Sequence, residues 1–359
     1  MSADPTSPVP PPPPPPRNYQ YQLPPPPKPR RRVGLWLVLL LSLLLNLGLL
    51  VGFSYKSLAR HGRSVPAPEH VFTERFIMGY ENAENKIAVI RLNGVISSFG
   101  DSATGMDGMA GDIVEQLRLA AADANVKAIV LWVDSPGGEV LASDRIYRAV
   151  RDADKVKPVI CYMGTVAASG GFYSAMGARW IIADELTITG SIGVIMQTLN
   201  YEGLFGKVGL KSLTFKSGKL KDMLDGSREP TPEEKELVQG LIMETYDKFV
   251  GIVTSERKIL DDSDFRENIA DGRIFSGKKA LENKLIDQLG TFDEAIAKAE
   301  KEAKIKDAEV FQYEVPFRFE DMFRLFGRAP ANKVTLELPN SPSIHLEPGR
   351  LYFMSLHIF

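Results

Sequence analysis

One serine stands among small residues in the segment TVAASGGFYSAMGA, residues 165–178. Ser169 precedes Gly170 and Gly171, so it could open a helix, where a serine usually serves as the N-cap. A serine in such surroundings can also be a nucleophile, because a substrate backbone can approach its hydroxyl and the next amide can stabilise an oxyanion. Taken alone, the segment favours the cap over the nucleophile.

A nucleophilic serine needs a base, and the middle of the chain contains no histidine. A Ser-His-Asp triad or a histidine zinc site would have to recruit a residue from the flanks, because the four histidines are His61, His70, His345 and His357. Lysine is the other option, provided that its pKa falls well below the ordinary value of about 10.4. The sequence therefore directs the search for a base to the lysines.

The segment FKSGKLKDM, residues 215–223, offers three lysines just after a predicted strand. They are Lys216, Lys219 and Lys221. Solvated loop charges are the plainer interpretation of such a segment, and nothing in the spacing selects one of the three as a base.

A second glycine-rich turn, DSPGGEV at residues 134–140, follows a predicted buried strand. Pro136 fixes a turn, while Gly137 and Gly138 let backbone N–H groups face outward with no side chain in the way. Taken alone, the pattern favours an ordinary strand-to-helix connection over a binding site.

Composition excludes several classes of function. The net charge of −2 combines +7 in residues 1–63 with −9 in the remainder, and an acidic globular part argues against nucleic acid as a partner. The single cysteine, Cys161, excludes an internal disulfide and a cysteine-cluster metal site. Because Cys161 lies in the apolar run PVICYM, we expect a buried strand residue rather than a thiol nucleophile.

The N-terminal part divides into a low-complexity segment and an apolar one. Residues 1–32 hold 14 of the 25 prolines and predict a disordered tail, with a docking site for a proline-reading partner as the alternative. The uncharged run Val33–Phe53 would span about 31 Å as a helix, the thickness of a hydrocarbon core. We expect an uncleaved transmembrane anchor rather than a signal peptide. The basic residues on its N-terminal side favour a cytoplasmic N-terminus and an extracytoplasmic catalytic domain.

The remaining chain is predicted to be a linker at 54–85, an α/β domain at 86–314 and a C-terminal extension of unknown role at 315–359. Within the domain, apolar strand patterns alternate with helical ones, which predicts a parallel sheet covered by helices. The predicted strands are 86–92, 126–134, 158–163, 180–184 and IGVIM at 192–196; the predicted helices are 113–123, 142–151 and 232–257. The terminal LYFMSLHIF is unusually apolar, and we hypothesise that it lies in a substrate groove or at a subunit contact.

Five motifs in this order resemble the signal peptide peptidase A (protease IV) family, in its short single-repeat form. The resemblance covers about residues 85–300, and its motifs are DSPGG (134–138), VAASGG (166–171), TGSIGVI (189–195), KSGKLKD (216–222) and DGRIFSGKKALENKLIDQLG (271–290). It implies a fold related to Clp protease and the crotonases.

The same resemblance implies a role for each matching residue. Ser169 would be the nucleophile, Lys221 the general base, and Ser191 a residue that orients the lysine. Gly138 and the amide of Gly170 would form the oxyanion hole. No metal and no cofactor would be needed.

The resemblance further implies a membrane-anchored serine endopeptidase of the bacterial cytoplasmic membrane that degrades remnant signal peptides and other apolar peptides. Its subunits would form a homo-oligomeric ring in which serine and lysine come from neighbouring protomers. Two alternatives stay open: a crotonase-like acyl-CoA enzyme that uses the glycine turn to polarise a thioester, and a non-catalytic membrane scaffold in which Ser169 is only a helix cap.

Overall fold

The computed structural model describes residues 40–47, 72–99 and 108–315, together with the backbone of residues 352–354. Residues 40–47 form a helix, α1, inside the predicted anchor. The remainder of the predicted anchor and the proline-rich segment lie outside the described residues. Among the residues described, no helix is both long enough and apolar enough to cross a membrane.

The domain that follows alternates strands and helices, as the apolar patterns predict. Its helices are α2 (Gly108–Ala122), α3 (Val140–Val156), α4 (Gly170–Ala175), α5 (Glu202–Val208), α6 (Pro232–Arg257), α7 (Ser263–Asn268), α8 (Gly277–Glu282) and α9 (Phe292–Ala303). Its strands are β1 (Thr73–Gly79), β2 (Lys86–Asn93), β3 (Val126–Ser135), β4 (Gly137–Glu139), β5 (Val159–Ala168), β6 (Trp180–Ala183), β7 (Ile188–Gly190), β8 (Ile274–Ser276), β9 (Gln288–Leu289), β10 (Glu309–Glu314) and β11 (Tyr352–Met354).

The described part of the chain contains a large sheet whose strands follow the order β1-β10-β2-β3-β5-β6-β9. Its centre is parallel from β10 to β9, while β1 joins β10 antiparallel; β7 extends the end of β5 and pairs antiparallel with β8. Apolar clusters cover both faces, and alternate residues of β2 belong to each: Ala88 and Ile90 to one, Ile87 and Val89 to the other. The expected helix-covered parallel sheet is therefore present, with antiparallel additions.

Two local predictions are wrong. The predicted linker 54–85 contains β1, whose Thr73 pairs with Glu314, 241 residues away; a pairing so distant in sequence leaves no local pattern. The segment IGVIM is not a strand, because β7 ends before it at Gly190, where the backbone turns out of the ladder.

Candidate active site

Ser169 lies at the junction between β5 and α4, in a backbone conformation that serine rarely adopts. Its φ of 52° and ψ of −114° fall in a region that costs a non-glycine residue about 1–3 kcal/mol. Two hydrogen bonds hold it there: its N–H donates to the carbonyl of Gly190 at 2.8 Å, and its carbonyl accepts from the N–H of Tyr173 at 2.8 Å. The fold thus stores strain at this serine.

The hydroxyl of Ser169 is buried and unsatisfied. The residue is only 1% exposed, and among the described residues its Oγ has no hydrogen-bond partner. Ser169 occupies the N-cap position of α4, but its side chain makes no capping hydrogen bond. The interpretation of Ser169 as a helix cap is therefore wrong. A buried hydroxyl without a partner costs about 1–3 kcal/mol, so the site keeps this group at the expense of stability.

Ser191 lies beside Ser169 because β7 pairs with the end of β5. Ala168 is in register with Gly190, so each serine directly follows a paired residue. Ser191 is 6% exposed, has a φ of 51°, and donates its N–H to the carbonyl of Arg273 at 2.8 Å. The structure therefore brings together two of the serines that the motifs single out.

The glycine-rich turn forms β4, and Gly138 is needed there because another backbone passes too close for a side chain. A Cβ at Gly138 would lie 2.0 Å from the carbonyl oxygen of Ile96. Ile96 donates to the carbonyl of Gly137 and accepts from the N–H of Glu139, both at 2.9 Å. Since successive N–H groups of a strand point to opposite sides, the N–H of Gly138 faces away from Ile96, toward the other edge of β4.

The start of α4 packs directly on the end of β3. A Cβ on Gly171 would lie 2.7 Å from the carbonyl oxygen of Ser135, which explains the second glycine after Ser169. Gly170 is the first residue of α4, so the helix supplies no acceptor for its N–H. The N–H groups of Gly138 and Gly170 are thus held by neighbouring elements of one packed unit.

The three candidate lysines differ in their partners. Lys216 forms an ion pair with Asp222 at 2.6 Å, and Lys219 forms one with Glu233. Lys221 is exposed, and its Nζ makes no hydrogen bond or ion pair with the residues that the structure describes. A carboxylate partner stabilises the ammonium form, and the one with Glu233 raises the pKa of Lys219. The structure thus separates lysines that the sequence alone left equivalent.

Among the residues described, no hydrogen bond joins Ser169 to Lys221 within one chain. The Oγ of Ser169 has no hydrogen-bond partner in the described part of the chain, and Lys221 lies on an exposed turn. Gly170 and Ser191 lie next to Ser169, and β4, which carries Gly138, packs against α4, whereas no hydrogen bond that the structure describes connects the expected base to these residues.

Large apolar side chains around the lysine turn are exposed. Phe215 is 96% exposed and Leu213 81% exposed, and Leu237 and Leu241 on the first half of α6 are also exposed. A concentration of apolar surface of this kind usually marks an interface. Only the second half of α6 enters the core, through Phe249, Val250 and Val253.

Cys161 is fully buried in β5, and burial raises the pKa of its thiol. Its prediction as a buried strand residue is confirmed. A thiol of this kind is an unsuitable nucleophile because the reactive form is the thiolate.

The C-terminal extension contributes a strand that the sequence did not predict. The backbone of β11 pairs antiparallel with β4, with Phe353 opposite Gly138 and Tyr352 opposite Glu139. The only sequence signal was the apolar composition of the tail. The edge of β4 that faces away from Ile96 thus accepts an extended peptide in this structure.

The residues that form this site lie in segments that are similar to known protein families. Residues 151–306 match the model of Peptidase family S49, and residues 99–182 match that of Clp protease. The chain is 39% identical over 237 residues to a protein of Enterococcus faecium that carries the name signal peptide peptidase SppA, covering 65% of this chain and 68% of that protein. It is 36% identical over 222 residues to Protease 4 of Haemophilus influenzae, covering 61% of this chain and 35% of the longer relative.

Two solved structures are also similar. A membrane-bound stomatin-specific protease aligns with a TM-score of 0.41 at 19% identity, covering 66% of this chain and all of that one. ClpP1 of Listeria monocytogenes aligns with a TM-score of 0.39 at 15% identity, covering 58% of this chain and 94% of that one.

Proposed function

The chain belongs to peptidase family S49 and is a serine peptidase, and we propose that Ser169 is its nucleophile and Lys221 its general base. The observation that carries the assignment is the state of Ser169: strained, buried and without a hydrogen-bond partner among the described residues. Strain and unsatisfied polar groups cluster at functional sites because the surrounding fold offsets their cost. Turnover of an apolar peptide, compared between wild type and the Ser169→Ala and Lys221→Ala variants, tests the assignment.

The ion pairs support Lys221 as the base. A general base must be uncharged to accept a proton, whereas the carboxylate of Asp222 already engages Lys216 and that of Glu233 raises the pKa of Lys219. Lys221 has no such partner in the described residues. Ser191, beside Ser169, is suited to orient the amine of Lys221 once that amine reaches the site.

The reaction follows from these roles. Lys221 takes the proton of Ser169 while its Oγ attacks the peptide carbonyl, and the N–H groups of Gly138 and Gly170 hold the resulting oxyanion. Lys221 then gives the proton to the leaving amine, which breaks the peptide bond and leaves an acyl-enzyme on Ser169. Water, deprotonated by the same lysine, releases the second product.

The edge of β4 is proposed as the strand that binds the substrate. An extended peptide that pairs with β4 would place a carbonyl beside Gly138, in the position that β11 occupies here. Such binding uses the substrate's backbone, so it suits unfolded, extended peptides. The small residues around Ser169 would leave room for small or apolar substrate side chains beside the hydroxyl. Remnant signal peptides fit this description, and one relative carries the name of a signal peptide peptidase.

Deleting residues 351–359 should increase peptide turnover. The deletion removes β11 from β4, so a substrate no longer competes with the chain's own tail for the edge beside Gly138. We expect KM to fall and kcat to change little for a short fluorogenic peptide. A KM equal to that of the full chain would show that the tail does not compete for this strand.

A homo-oligomeric ring is the proposed assembly. The exposed apolar residues around Lys221 and on α6 offer an interface to a second copy, and the site within one chain lacks its base. A neighbouring protomer that covers this surface would bring its Lys221 to Ser169. Burial in such an interface would also favour the neutral amine that the reaction requires.

The anchor at Val33–Phe53 is proposed to tether the enzyme to the bacterial cytoplasmic membrane, with residues 1–32 in the cytoplasm and the catalytic domain outside. The uncharged run and the basic residues before it support this topology. The full chain should float with phospholipid vesicles and resist extraction by alkaline carbonate, whereas a variant that lacks 33–53 should stay in the soluble fraction. Equal flotation of the two would refute the anchor.

The other classes of function are less well supported. An acyl-CoA enzyme would not need the strained hydroxyl of Ser169, and a scaffold would gain nothing from leaving it unsatisfied. Family membership also identifies the chain as a peptidase.

A further inference from the structure

The turn that carries Lys221 is joined to α6 by an exposed ion pair, Lys219 with Glu233, and by the more buried contacts of Arg228. The guanidinium binds both carboxylate oxygens of Asp222, with Nε 3.1 Å from Oδ2 and Nη2 2.8 Å from Oδ1. It also binds both carboxylate oxygens of Glu234, with Nη2 2.5 Å from Oε1 and Nη1 2.9 Å from Oε2. A planar guanidinium can make two such forked contacts at once, which a lysine cannot.

The end of this connection at Glu234 is held in place by further hydrogen bonds. The side chain of Glu234 is only 2% exposed and completes a capping box at the start of α6. Its Oε2 accepts the N–H of Thr231 at 2.8 Å, while Thr231 Oγ1 accepts the N–H of Glu234 at 3.3 Å. Arg228 therefore ties the turn to a helix end that is itself fixed.

The other end of this connection is Asp222, the residue next to the proposed base. Asp222 directly follows Lys221, and its carboxylate is 10% exposed and also pairs with Lys216. The contact with Arg228, reinforced by Lys216, lowers the pKa of Asp222 well below its usual range, and Arg228 lowers that of Glu234 to about 2. Both carboxylates thus stay charged and engaged throughout the pH range in which a peptidase is assayed.

Resting on the proposed function, we propose that Arg228 is a positioning residue for Lys221. It helps to fix the turn on α6 and engages the carboxylate of Asp222, the residue that directly follows Lys221. Other charged groups of this region include Lys216, Lys219, Asp225, Glu229, Glu233 and Glu234. Lys216 pairs with Asp222, Lys219 with Glu233, and Glu234 with Arg228, while the carboxylates of Asp225 and Glu229 accept from the N–H of Ser227 and from Asn200. Arg228 thereby keeps Lys221 both placed and unpaired.

Replacing Arg228 by methionine should lower kcat by up to about 100-fold, because a displaced catalytic group costs about that much. KM should change little, since β4 is untouched. The rise in rate with pH should move to higher pH, because the carboxylate of Asp222, left with Lys216 as its partner, can then also pair with Lys221. Adding Asp222→Asn to Arg228→Met should return this rise to its wild-type pH range.

Arg266→Met is the matched control, because Arg266 also binds two carboxylates, Asp247 and Asp261, and is similarly exposed. It should keep the wild-type kcat and pH profile even if its melting temperature falls as much as that of Arg228→Met. If Arg228→Met does not fold, Arg228→Lys serves instead, with a smaller loss of the same kind. An Arg228 variant that keeps the wild-type kcat, or whose rate rises over the same pH range as that of the wild type, overturns the proposal. Turnover that survives Lys221→Ala would instead overturn the dyad itself.

Discussion

Replacing Ser169 by alanine should abolish peptide turnover, lowering kcat by at least about 10³-fold. The loss follows because the proposed mechanism forms the acyl bond on the Oγ of Ser169, and alanine has no hydroxyl. A fluorogenic apolar peptide, assayed with the chain from residue 54 onward, provides the measurement. Ser263→Ala is the control: this exposed serine begins α7 and should be replaceable without effect.

The same variant should be no less stable than the wild type. Alanine removes a hydroxyl that is buried without a partner, so the free energy of unfolding should stay the same or rise by about 1 kcal/mol. A capping serine would behave in the opposite way, since its loss typically costs about 1 kcal/mol. A lower melting temperature together with full activity would mean that Ser169 is structural.

Replacing Lys221 by alanine should lower kcat by about 10²- to 10⁴-fold, the usual contribution of a general base. Lys219→Met is the matched control, because Lys219 lies on the same turn but is held by Glu233. Wild-type turnover should increase from pH 6 to pH 9, since only an uncharged amine can accept the serine proton. Turnover that is lost in Lys219→Met but kept in Lys221→Ala would mean that Lys219, and not Lys221, is the base.

Mixing Ser169→Ala and Lys221→Ala subunits tests whether the active site is shared between protomers. If serine and lysine come from neighbouring protomers, Ser169→Ala and Lys221→Ala subunits unfolded and refolded together should form some complete sites. The mixture should then recover a fraction of the wild-type turnover, while each variant alone stays inactive. Recovery would show that the site spans two subunits, and a mixed assembly without activity would place both groups in one protomer.

Much of the fold is readable from local pattern. The helix predicted at 232–257 is present with those bounds, because its start carries a proline and a capping box and its apolar residues recur at helical spacing. The buried parallel strands follow equally from continuous apolar runs. The pairings of β1 with β10 and of β11 with β4 were not predictable, because they join segments that are distant in the sequence and have little pattern of their own.

The candidate site, too, could be predicted only in part from the sequence. Residue types and spacing raised Ser169 and Gly138 as candidates, and family resemblance assigned their roles. The strain at Ser169 and its unsatisfied hydroxyl depend on how β5, β7 and α4 pack, which no local pattern encodes. The choice among three lysines likewise rests on carboxylates, one of them in α6, and Arg228 is visible only as the side chain that connects them.

The acyl-enzyme offers the most direct test of the dyad. The protein is mixed with the p-nitrophenyl ester of an apolar peptide, quenched with acid, and the acylated residue is located by mass spectrometry. The ester's leaving group needs no proton, so the rate reports only on activation of the nucleophile. We expect an adduct on Ser169 that forms quickly in wild type and Lys219→Met, and at least about 100-fold more slowly in Lys221→Ala. An adduct on another residue, or equal rates with and without Lys221, would contradict the dyad.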